Sequence, residues 1–295
     1  MNNKKKFLDP NIKNKNKNVE GRIQLYEFMD KKIPLPTEIE ISESGTCNRK
    51  CSFCPRSSPG FEDKKEFISD DLVAKVAKEL SDLNYMGVIR FSGFVEPLLD
   101  HNIYNHIQKL KKFLPKCRIE VVTNGDPLNL VNLQKLFKSG LDKLLVSAYD
   151  GKDDVKKFQE MAIQSQLNDD QFIVRDRSLP EEQDFGITLS NRAGMMENAE
   201  FKIQKLEKPM DKPCYIPSYT LFFDYLGDVL MCPHDWGKKI ILGNLKKEKL
   251  WDIWTNEKSV KIRKNLSNGN RKFSPCNVCD VNGTLMGKAN AQYFI

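Results

Sequence analysis

The sequence predicts an α/β protein, in which a partial (β/α)6 barrel is followed by a small α+β domain. Six short apolar runs rich in β-forming residues alternate with segments of helical period between residues 37 and 190. This alternation is typical of a parallel sheet covered by helices. After Ser190 it stops, and Pro-flanked segments precede a hairpin and one more helix. Seven of the eight cysteines fall into two groups, one in each part of the chain.

Each of the six runs has the length of one strand, and they cover residues 37–42, 87–93, 118–124, 143–149, 171–176 and 185–190. Between the first two, Ser69 predicts an N-cap, and Leu72 and Val76 begin the apolar stripe of a helix. Further helices are predicted between consecutive strands, over residues 101–114, 129–139 and 152–164. Beyond the sixth strand we expect a hairpin that turns near Gly227 and a helix around 248–265.

Charge is unevenly distributed along the 295 residues. Of the formal net charge of +7, residues 1–18 supply +5, from six Lys and one Asp. Because this tail has no hydrophobic anchors, we expect a solvated arm and no nucleic-acid partner. No apolar stretch suits a secretory signal or a membrane span, so we expect a cytoplasmic protein without a membrane partner. The predicted division is an arm over 1–36, the barrel over 37–200 and the α+β domain over 201–295.

The first cysteine group follows the first predicted strand. The stretch CNRKCSFC spaces Cys47, Cys51 and Cys54 as C-x3-C-x2-C. Cytosolic thiols stay reduced, so clustered cysteines there hold metal more often than they form disulfides. Three thiolates can bind three irons of a 4Fe-4S cluster and leave the remaining iron open to another ligand. The alternative is a zinc site or buried thiols, but zinc needs a fourth ligand and His101 is the nearest histidine.

This spacing, with the aromatic Phe53 just before the last cysteine, resembles the motif of the radical SAM superfamily. The resemblance implies that the barrel is a radical SAM barrel and that the open iron binds the amino and carboxylate groups of S-adenosylmethionine. It also implies that one-electron reduction of this complex releases a 5′-deoxyadenosyl radical.

A second motif, SGFVEP, ends the second predicted strand and is similar to the G-x-x-E-P variant of the family's glycine-rich methionine-binding motif. The resemblance implies that Ser92 and Gly93 approach the amino group of S-adenosylmethionine through backbone groups. Glu96 would support that site from the following loop. An ordinary strand-to-helix turn is the alternative interpretation, since Gly and Pro are common in turns.

Candidate residues also end the next three predicted strands, at the edge where parallel α/β barrels place their sites. VTNG and VSAYDG lie where the family contacts the ribose and the methionine, and they contain Thr123, Asn124 and Ser147. Arg175 and Arg177 share one face of the fifth strand by alternation, and one of them could pair with the methionine carboxylate. The alternatives are turn formation for the first three and surface ion pairing for the arginines.

The second cysteine group is spaced C-x17-C-x43-C-x2-C and consists of Cys214, Cys232, Cys276 and Cys279. It resembles the SPASM extension of radical SAM enzymes, in the shorter twitch form that holds one auxiliary cluster. Four thiolates occupy every iron of a 4Fe-4S cluster, so such a cluster can pass electrons but cannot readily bind substrate. A structural four-cysteine zinc site is the alternative, although such sites usually contain two C-x2-C pairs.

The resemblance to one-cluster twitch enzymes that oxidise a secondary alcohol of an aminocyclitol implies dehydrogenation of a small polar substrate, such as a sugar or cyclitol. The implied cofactors are two 4Fe-4S clusters and S-adenosylmethionine, with flavodoxin or ferredoxin as electron donor and the second cluster as electron acceptor. Alternatives are epimerisation or crosslinking of a ribosomal peptide, a redox-neutral rearrangement, and a non-catalytic zinc or Fe-S protein. No catalytic base is assigned, because an unprotonated Arg192 would be unusual.

Overall fold

The computed structural model describes residues 9–21, 23–178 and 189–295. Its strands, in chain order, are β1 (Leu25–Phe28), β2 (Lys31–Pro34), β3 (Glu38–Ser42), β4 (Ser44–Gly45), β5 (Lys64–Phe67), β6 (Val88–Phe91), β7 (Arg118–Thr123), β8 (Lys143–Ala148), β9 (Phe172–Asp176), β10 (Thr220–Asp224), β11 (Asp228–Leu230) and β12 (Ile241–Asn244). Its α-helices are α1 (Pro10–Gly21), α2 (Asp70–Asp82), α3 (Ile103–Phe113), α4 (Leu130–Lys138), α5 (Lys152–Gln164), α6 (Ile216–Tyr219), α7 (Leu250–Thr255), α8 (Glu257–Ser267) and α9 (Lys288–Ala291).

One eight-stranded sheet organises the molecule, in the order β12-β11-β10-β3-β6-β7-β8-β9. The six strands from β10 to β9 run parallel, whereas β11 and β12 extend the β10 edge as antiparallel strands. Across the described ranges β9 and β12 do not pair, so this sheet is open and does not close into a barrel. The carboxyl ends of all six parallel strands therefore meet at one edge.

The first five predicted strands are confirmed as β3, β6, β7, β8 and β9. Most of the sixth, residues 185–188, lies outside the described residues, and residues 189 and 190 are not in a strand. The sixth parallel strand of the sheet is β10, which comes from the predicted hairpin and pairs with β3 along its whole length. The hairpin itself is confirmed as β10 and β11, with Gly227 at φ +86° in the turn. A local sequence pattern can predict that a segment is a strand, but it does not show which strands lie on either side of it in the sheet.

The four predicted helices that cover the sheet are confirmed as α2 to α5. Ser69 is the N-cap of α2, where its hydroxyl oxygen accepts a hydrogen bond from the Leu72 N–H at 3.3 Å. The helices bury an apolar sheet face that includes Ile39, Ile89 and Val121, all fully buried. Because alternate residues of a strand point to opposite faces, the residues between these point away from the helices.

That opposite face carries buried charge. Arg90 is fully buried between two carboxylates, with its Nη1 2.6 Å from Glu38 Oε1 and its Nη2 2.6 Å from Glu120 Oε2. A buried charge requires such partners, because desolvation of an unpaired ion costs several kcal/mol. The centre of this face is therefore polar, and it suits a polar element as its cover.

The covering element is α1, so the expectation of a solvated N-terminal arm is wrong for residues 9–21. Asn14 and Val19 of α1 are buried, and the Lys15 ammonium lies 2.9 Å from Glu38 Oε1. The segment was expected to be solvated because it lacks apolar anchors, but α1 is held mainly by charged and polar groups of the sheet. Residues 1–8 lie outside the described residues.

The helix predicted around 248–265 is instead two helices, α7 and α8. Asn256 separates them with an extended backbone at φ −62° and ψ 157°. Its side chain accepts a hydrogen bond from the Ser259 N–H at 2.8 Å and so caps α8. Asparagine competes for backbone hydrogen bonds in this way, which makes it a good cap and a poor interior helix residue.

The predicted division of the chain near residue 200 stays a prediction. The strands β10 to β12 belong to the same sheet as β3 to β9, so the hydrogen-bonded structure continues across that point. A second apolar cluster joins Val19 of α1 to Tyr219, Leu266 and Met286 of the C-terminal segment. In the described parts of the chain, no helix has the length and apolar character needed to cross a bilayer.

Candidate active site

The first cysteine group lies on the loop that follows β4. Its thiols are half-buried, and the Cys54 N–H donates to the Cys51 carbonyl at 2.9 Å. Burial, and then the negative charges of Cys54 and Cys47, raise the pKa of Cys51 to about 11. The three sulfur atoms are therefore close enough to disfavour one another's ionisation. A positively charged metal centre would offset this repulsion, so these residues fit an iron-sulfur cluster.

Arg49 fastens this loop to the carboxyl edge of the sheet. Its guanidinium contacts Asp126, after β7, with Nη2 2.5 Å from Oδ1 and Nε 2.7 Å from Oδ2. It also contacts Asp150, after β8, with Nη2 2.6 Å from Oδ2 and Nη1 2.9 Å from Oδ1. Hydrogen bonds from these two carboxylates hold the pKa of Arg49 above its usual range. Two bidentate pairs thus hold the residue between Cys47 and Cys51 in one position.

We expect Arg49→Gln to weaken retention of the first cluster, because the cysteine loop would lose both of its bidentate contacts. Loss of a group that orients metal ligands typically costs about 10- to 100-fold in metal affinity or activity. The measurement is the visible absorbance of anaerobically reconstituted protein during incubation with an iron chelator. Lys50→Gln is the matched control, because Lys50 is the exposed neighbour on the same loop. Equal rates of iron loss in the two variants would contradict the prediction.

Glu96, Thr123 and Asn124 meet beside the cysteine loop. The Glu96 carboxylate is 1% exposed, and it accepts hydrogen bonds from Thr123 Oγ1 at 2.5 Å and from the Asn124 N–H at 2.7 Å. Burial raises the pKa of Glu96 to about 7, although these two hydrogen bonds favour its ionised form. Asn124 Nδ2 lies 3.9 Å from Cys47 Sγ. The ends of β6 and β7 are therefore joined to the first cysteine group.

Three further candidates from the sequence lie at the same edge. Gly93 has φ +95°, a conformation that favours glycine, and a Cβ atom there would lie 2.9 Å from the Phe222 ring. The Ser92 hydroxyl donates to Glu40 Oε1 at 2.6 Å and its N–H donates to the Ile41 carbonyl at 3.0 Å, so both of these donors already have partners within the sheet. The ring of Phe53 packs 5.6 Å from that of Tyr149, which extends the site to the end of β8. Their contacts to a cofactor stay predictions.

Ser147, Arg175 and Arg177 also lie together. Arg175 Nη1 donates to Ser147 Oγ at 3.1 Å. Both guanidinium groups contact Asp9: Arg175 Nη2 lies 2.8 Å and Arg177 Nη1 lies 2.7 Å from Asp9 Oδ2. The arginine pair thus holds a carboxylate of the chain itself. Asp9 is not among the site residues predicted from the sequence, because a lone acidic residue in a basic tail gives no indication of its partner.

The second cysteine group surrounds one cavity, which Cys214, Cys232, Cys276 and Cys279 line together. All four thiols are buried. Burial raises the pKa of Cys232 well above the usual value, and the charges of the other three thiols act in the same direction. A Cβ atom added at Gly283 would overlap Cys214 Sγ, so the backbone approaches this sulfur more closely than any side chain would allow. These features fit a buried cluster with four thiolate ligands.

Within residues 9–21, 23–178 and 189–295, no three or more His, Cys, Asp or Glu side chains are arranged to hold a single metal ion. A zinc ion would gather its sulfur ligands within about 2.3 Å of one point. The four-iron cube is larger and spreads its ligands over several metal atoms. Both kinds of centre take thiolate ligands, and they differ in the number of metal atoms that share the sulfurs.

Arg192 and His234 lie between the two cysteine groups. Arg192 Nη1 is 3.3 Å from His234 Nδ1, and the His234 N–H donates to Cys232 Sγ at 3.4 Å. Burial, and then the charge of Arg192, lower the pKa of His234 to about 3, so its imidazole is neutral. Burial raises the pKa of Cys54 in the first group, and the charge of Arg192 acts in the opposite direction. Arg192 adopts the left-handed backbone conformation at φ 48°.

Two family models match the chain. Residues 41–162 match the radical SAM superfamily, and residues 214–280 match an iron-sulfur cluster-binding domain, SPASM. The first match contains the three-cysteine loop and the Glu96 site. The second runs from Cys214 to just beyond Cys279. Each cysteine group thus lies within one of the two matched regions. Both families hold iron-sulfur clusters.

Known proteins agree with these matches. The chain is 30% identical over 246 residues to the S-adenosyl-L-methionine-dependent 2-deoxy-scyllo-inosamine dehydrogenase of Niallia circulans, a match that covers 82% of this chain and 92% of the relative. The crystal structure of BtrN in complex with AdoMet and 2-DOIA is similar at 28% identity and a TM-score of 0.73, covering 86% and 97% of the two chains. BtrN in an open conformation is similar at 26% identity and a TM-score of 0.64, covering 86% and 96%. The chain therefore belongs to the radical SAM superfamily, as an oxidoreductase with a SPASM domain whose cofactors are S-adenosylmethionine and two 4Fe-4S clusters.

Proposed function

We propose that this enzyme dehydrogenates a secondary alcohol of a small polar molecule, an aminocyclitol or a sugar, with the second cluster as electron acceptor. The observation that carries the proposal is the second cysteine group, because four buried thiols around one cavity provide a ligand for every iron. Such a centre suits electron transfer rather than substrate binding. The name of the 30% identical relative, a dehydrogenase, supports the same reaction class.

Conversion of a secondary alcohol to a ketone removes one hydrogen atom from carbon, then one proton from oxygen and one electron. When bound, the cofactors supply a 5′-deoxyadenosyl radical as hydrogen-atom acceptor and the second cluster as electron acceptor. The residues of the chain have to hold the alcohol between the two cysteine groups. Arg192 is placed for this role, because its charge acts on Cys54 and its Nη1 lies 3.3 Å from His234 Nδ1, two residues after Cys232.

In this proposal Arg192 donates hydrogen bonds to the alcohol oxygen and favours transfer of the alcohol proton to water. The neutral imidazole of His234 keeps the guanidinium oriented. On the other side, the residues predicted from the sequence would hold S-adenosylmethionine, namely Phe53, Ser92, Gly93, Glu96, Thr123, Asn124, Ser147, Arg175 and Arg177. A flavodoxin or ferredoxin would reduce the first cluster. The other partner of the enzyme would be its substrate, the aminocyclitol or sugar.

The proposal predicts a product two hydrogens lighter than its substrate. Anaerobic, cluster-reconstituted protein with dithionite and S-adenosylmethionine would be offered 2-deoxy-scyllo-inosamine, related aminocyclitols and simple sugars. Mass spectrometry should detect 5′-deoxyadenosine and a product that has lost two hydrogens in equal amounts. Reactions without S-adenosylmethionine are the control. A product of unchanged mass would indicate epimerisation or rearrangement, and turnover of peptides alone would indicate peptide modification; both outcomes would contradict dehydrogenation.

A further inference from the structure

α1 covers the charged sheet face mainly through polar contacts. Lys15 Nζ lies 2.9 Å from Glu38 Oε1 and 3.2 Å from Glu40 Oε2, on β3. Asn14 Nδ2 donates to Glu120 Oε2, on β7, at 2.8 Å. One helix thus contacts several strands of the parallel sheet from the side opposite α2 to α5.

The intrinsic stability of α1 is low. Its sequence, PNIKNKNKNVEG, contains four asparagines and ends in Gly, which are poor interior helix residues. A 12-residue helix is marginal in water even with good helix formers. Val19 is its one fully buried apolar side chain, so little apolar burial opposes its release. The docking of α1 rests mainly on hydrogen bonds and ion pairs, and water replaces both when the helix leaves the sheet. Segments of this kind open locally at low free-energy cost.

Asp9, immediately before α1, occupies the arginine pair. Arg175 Nε and Nη2 lie 3.1 and 2.8 Å from its Oδ1 and Oδ2, and Arg177 Nη1 lies 2.7 Å from Oδ2. The Asn11 N–H donates to Oδ1 at 2.7 Å. Asp9 thus fills the Nε–Nη2 edge of Arg175, whose Nη1 donates to Ser147 Oγ. One edge of a guanidinium group pairs with one carboxylate at a time.

We propose that residues 9–21 form a displaceable plug, in which the Asp9 carboxylate takes the place that the methionine carboxylate of S-adenosylmethionine occupies in the active enzyme. The inference rests on the proposed function, because it takes Arg175 and Ser147 as part of the cofactor site. Carboxylate replaces carboxylate on the same donors, so binding of the cofactor and docking of Asp9 exclude each other. The apparent affinity for the cofactor is then reduced by the fraction of molecules in which the plug is open.

Binding of S-adenosylmethionine to reconstituted protein, measured by anaerobic titration calorimetry without substrate, tests this exclusion. Asp9→Asn removes the competing charge and should bind S-adenosylmethionine about tenfold more tightly than the parent. Lys13→Ala is the matched control, because Lys13 is exposed on the same helix. Asp9→Asn should not bind decarboxylated S-adenosylmethionine more tightly than the parent does, because this analogue lacks the carboxylate that competes with Asp9.

Hydrogen-deuterium exchange gives a second readout. Addition of S-adenosylmethionine to the parent should increase exchange over residues 10–21, and Asp9→Asn should exchange fast without it. Lys15→Gln loosens the plug without touching the arginines, so it should also bind the cofactor more tightly, which keeps the test valid if Asp9→Asn folds poorly.

Weaker or unchanged cofactor binding in both variants would overturn the plug, since Asp9 would then only support the arginines. Protection of residues 10–21 by S-adenosylmethionine would overturn it as well. Failure of the proposed function is separate, because it would appear as tight cofactor binding without loss of two hydrogens from any substrate. Absence of binding in the parent and in both variants would overturn the plug together with the predicted cofactor contacts.

Discussion

Replacement of Cys51 by Ala should abolish formation of 5′-deoxyadenosine from S-adenosylmethionine. The change removes one of the three thiolates of the first group, and a cluster held by two protein ligands cannot keep one defined open iron. The fold should survive, because the large apolar core on the helix-covered face of the sheet does not include this residue. The measurement is chromatographic detection of 5′-deoxyadenosine with dithionite as reductant, together with the iron content.

Cys117→Ala is the matched control for this prediction. Cys117 is the one cysteine outside the two groups; it is 1% exposed and its thiol lies 3.1 Å from the Gly87 carbonyl. Its loss should lower the free energy of unfolding by about 1–2 kcal/mol through a small cavity while leaving cleavage intact. Undiminished cleavage by purified Cys51→Ala protein would contradict the assignment of the first group as the radical-generating site.

Changing both Cys276 and Cys279 to Ala should uncouple radical formation from oxidation. Two of the four ligands of the second cluster are then missing, so that cluster should be lost or severely weakened. The three-cysteine loop is untouched, and 5′-deoxyadenosine should still form slowly. A substrate that has lost a hydrogen atom would lack its electron acceptor, so the product two hydrogens lighter should not accumulate.

Iron analysis and circular dichroism control this double variant. The iron content should fall from about eight to about four atoms per chain, while the α-helical signal is retained. Product formation at the parent rate would mean that the C-terminal cysteines are structural and that the electron leaves by another route. The mass of the product would then decide between a redox-neutral rearrangement and an oxidation that uses a different acceptor.

Much of the candidate site was predictable because its residues are encoded by short-range patterns. The spacing of Cys47, Cys51 and Cys54 places three thiols on one loop whatever the rest of the chain does. The alternation of strands and helices places Glu96 and Ser147 at one sheet edge, because parallel strands all end on the same side. Caps such as Ser69 were predictable for the same local reason.

Contacts between distant segments were not predictable. Asp9 and Arg175 are 166 residues apart, and nothing near either residue indicates the other. The sequence shows Arg49 only as a charged residue of the cysteine loop. Its two carboxylate partners follow β7 and β8, far along the chain. The pairing of β10 with β3 depends on which strand of the sheet has an unpaired edge. Only the assembled sheet shows this.

The fold class and the two sets of cysteines follow from spacing and periodicity over a few tens of residues, and the resemblance of their motifs indicates the radical SAM family. The docking of the basic N-terminal helix and the pairing of Asp9 with the two arginines are visible only in three dimensions. The same applies to the place of Arg192 between the two cysteine groups. The physical reason is that buried charges choose partners by three-dimensional proximity. A linear sequence shows the charges but not the distances between them.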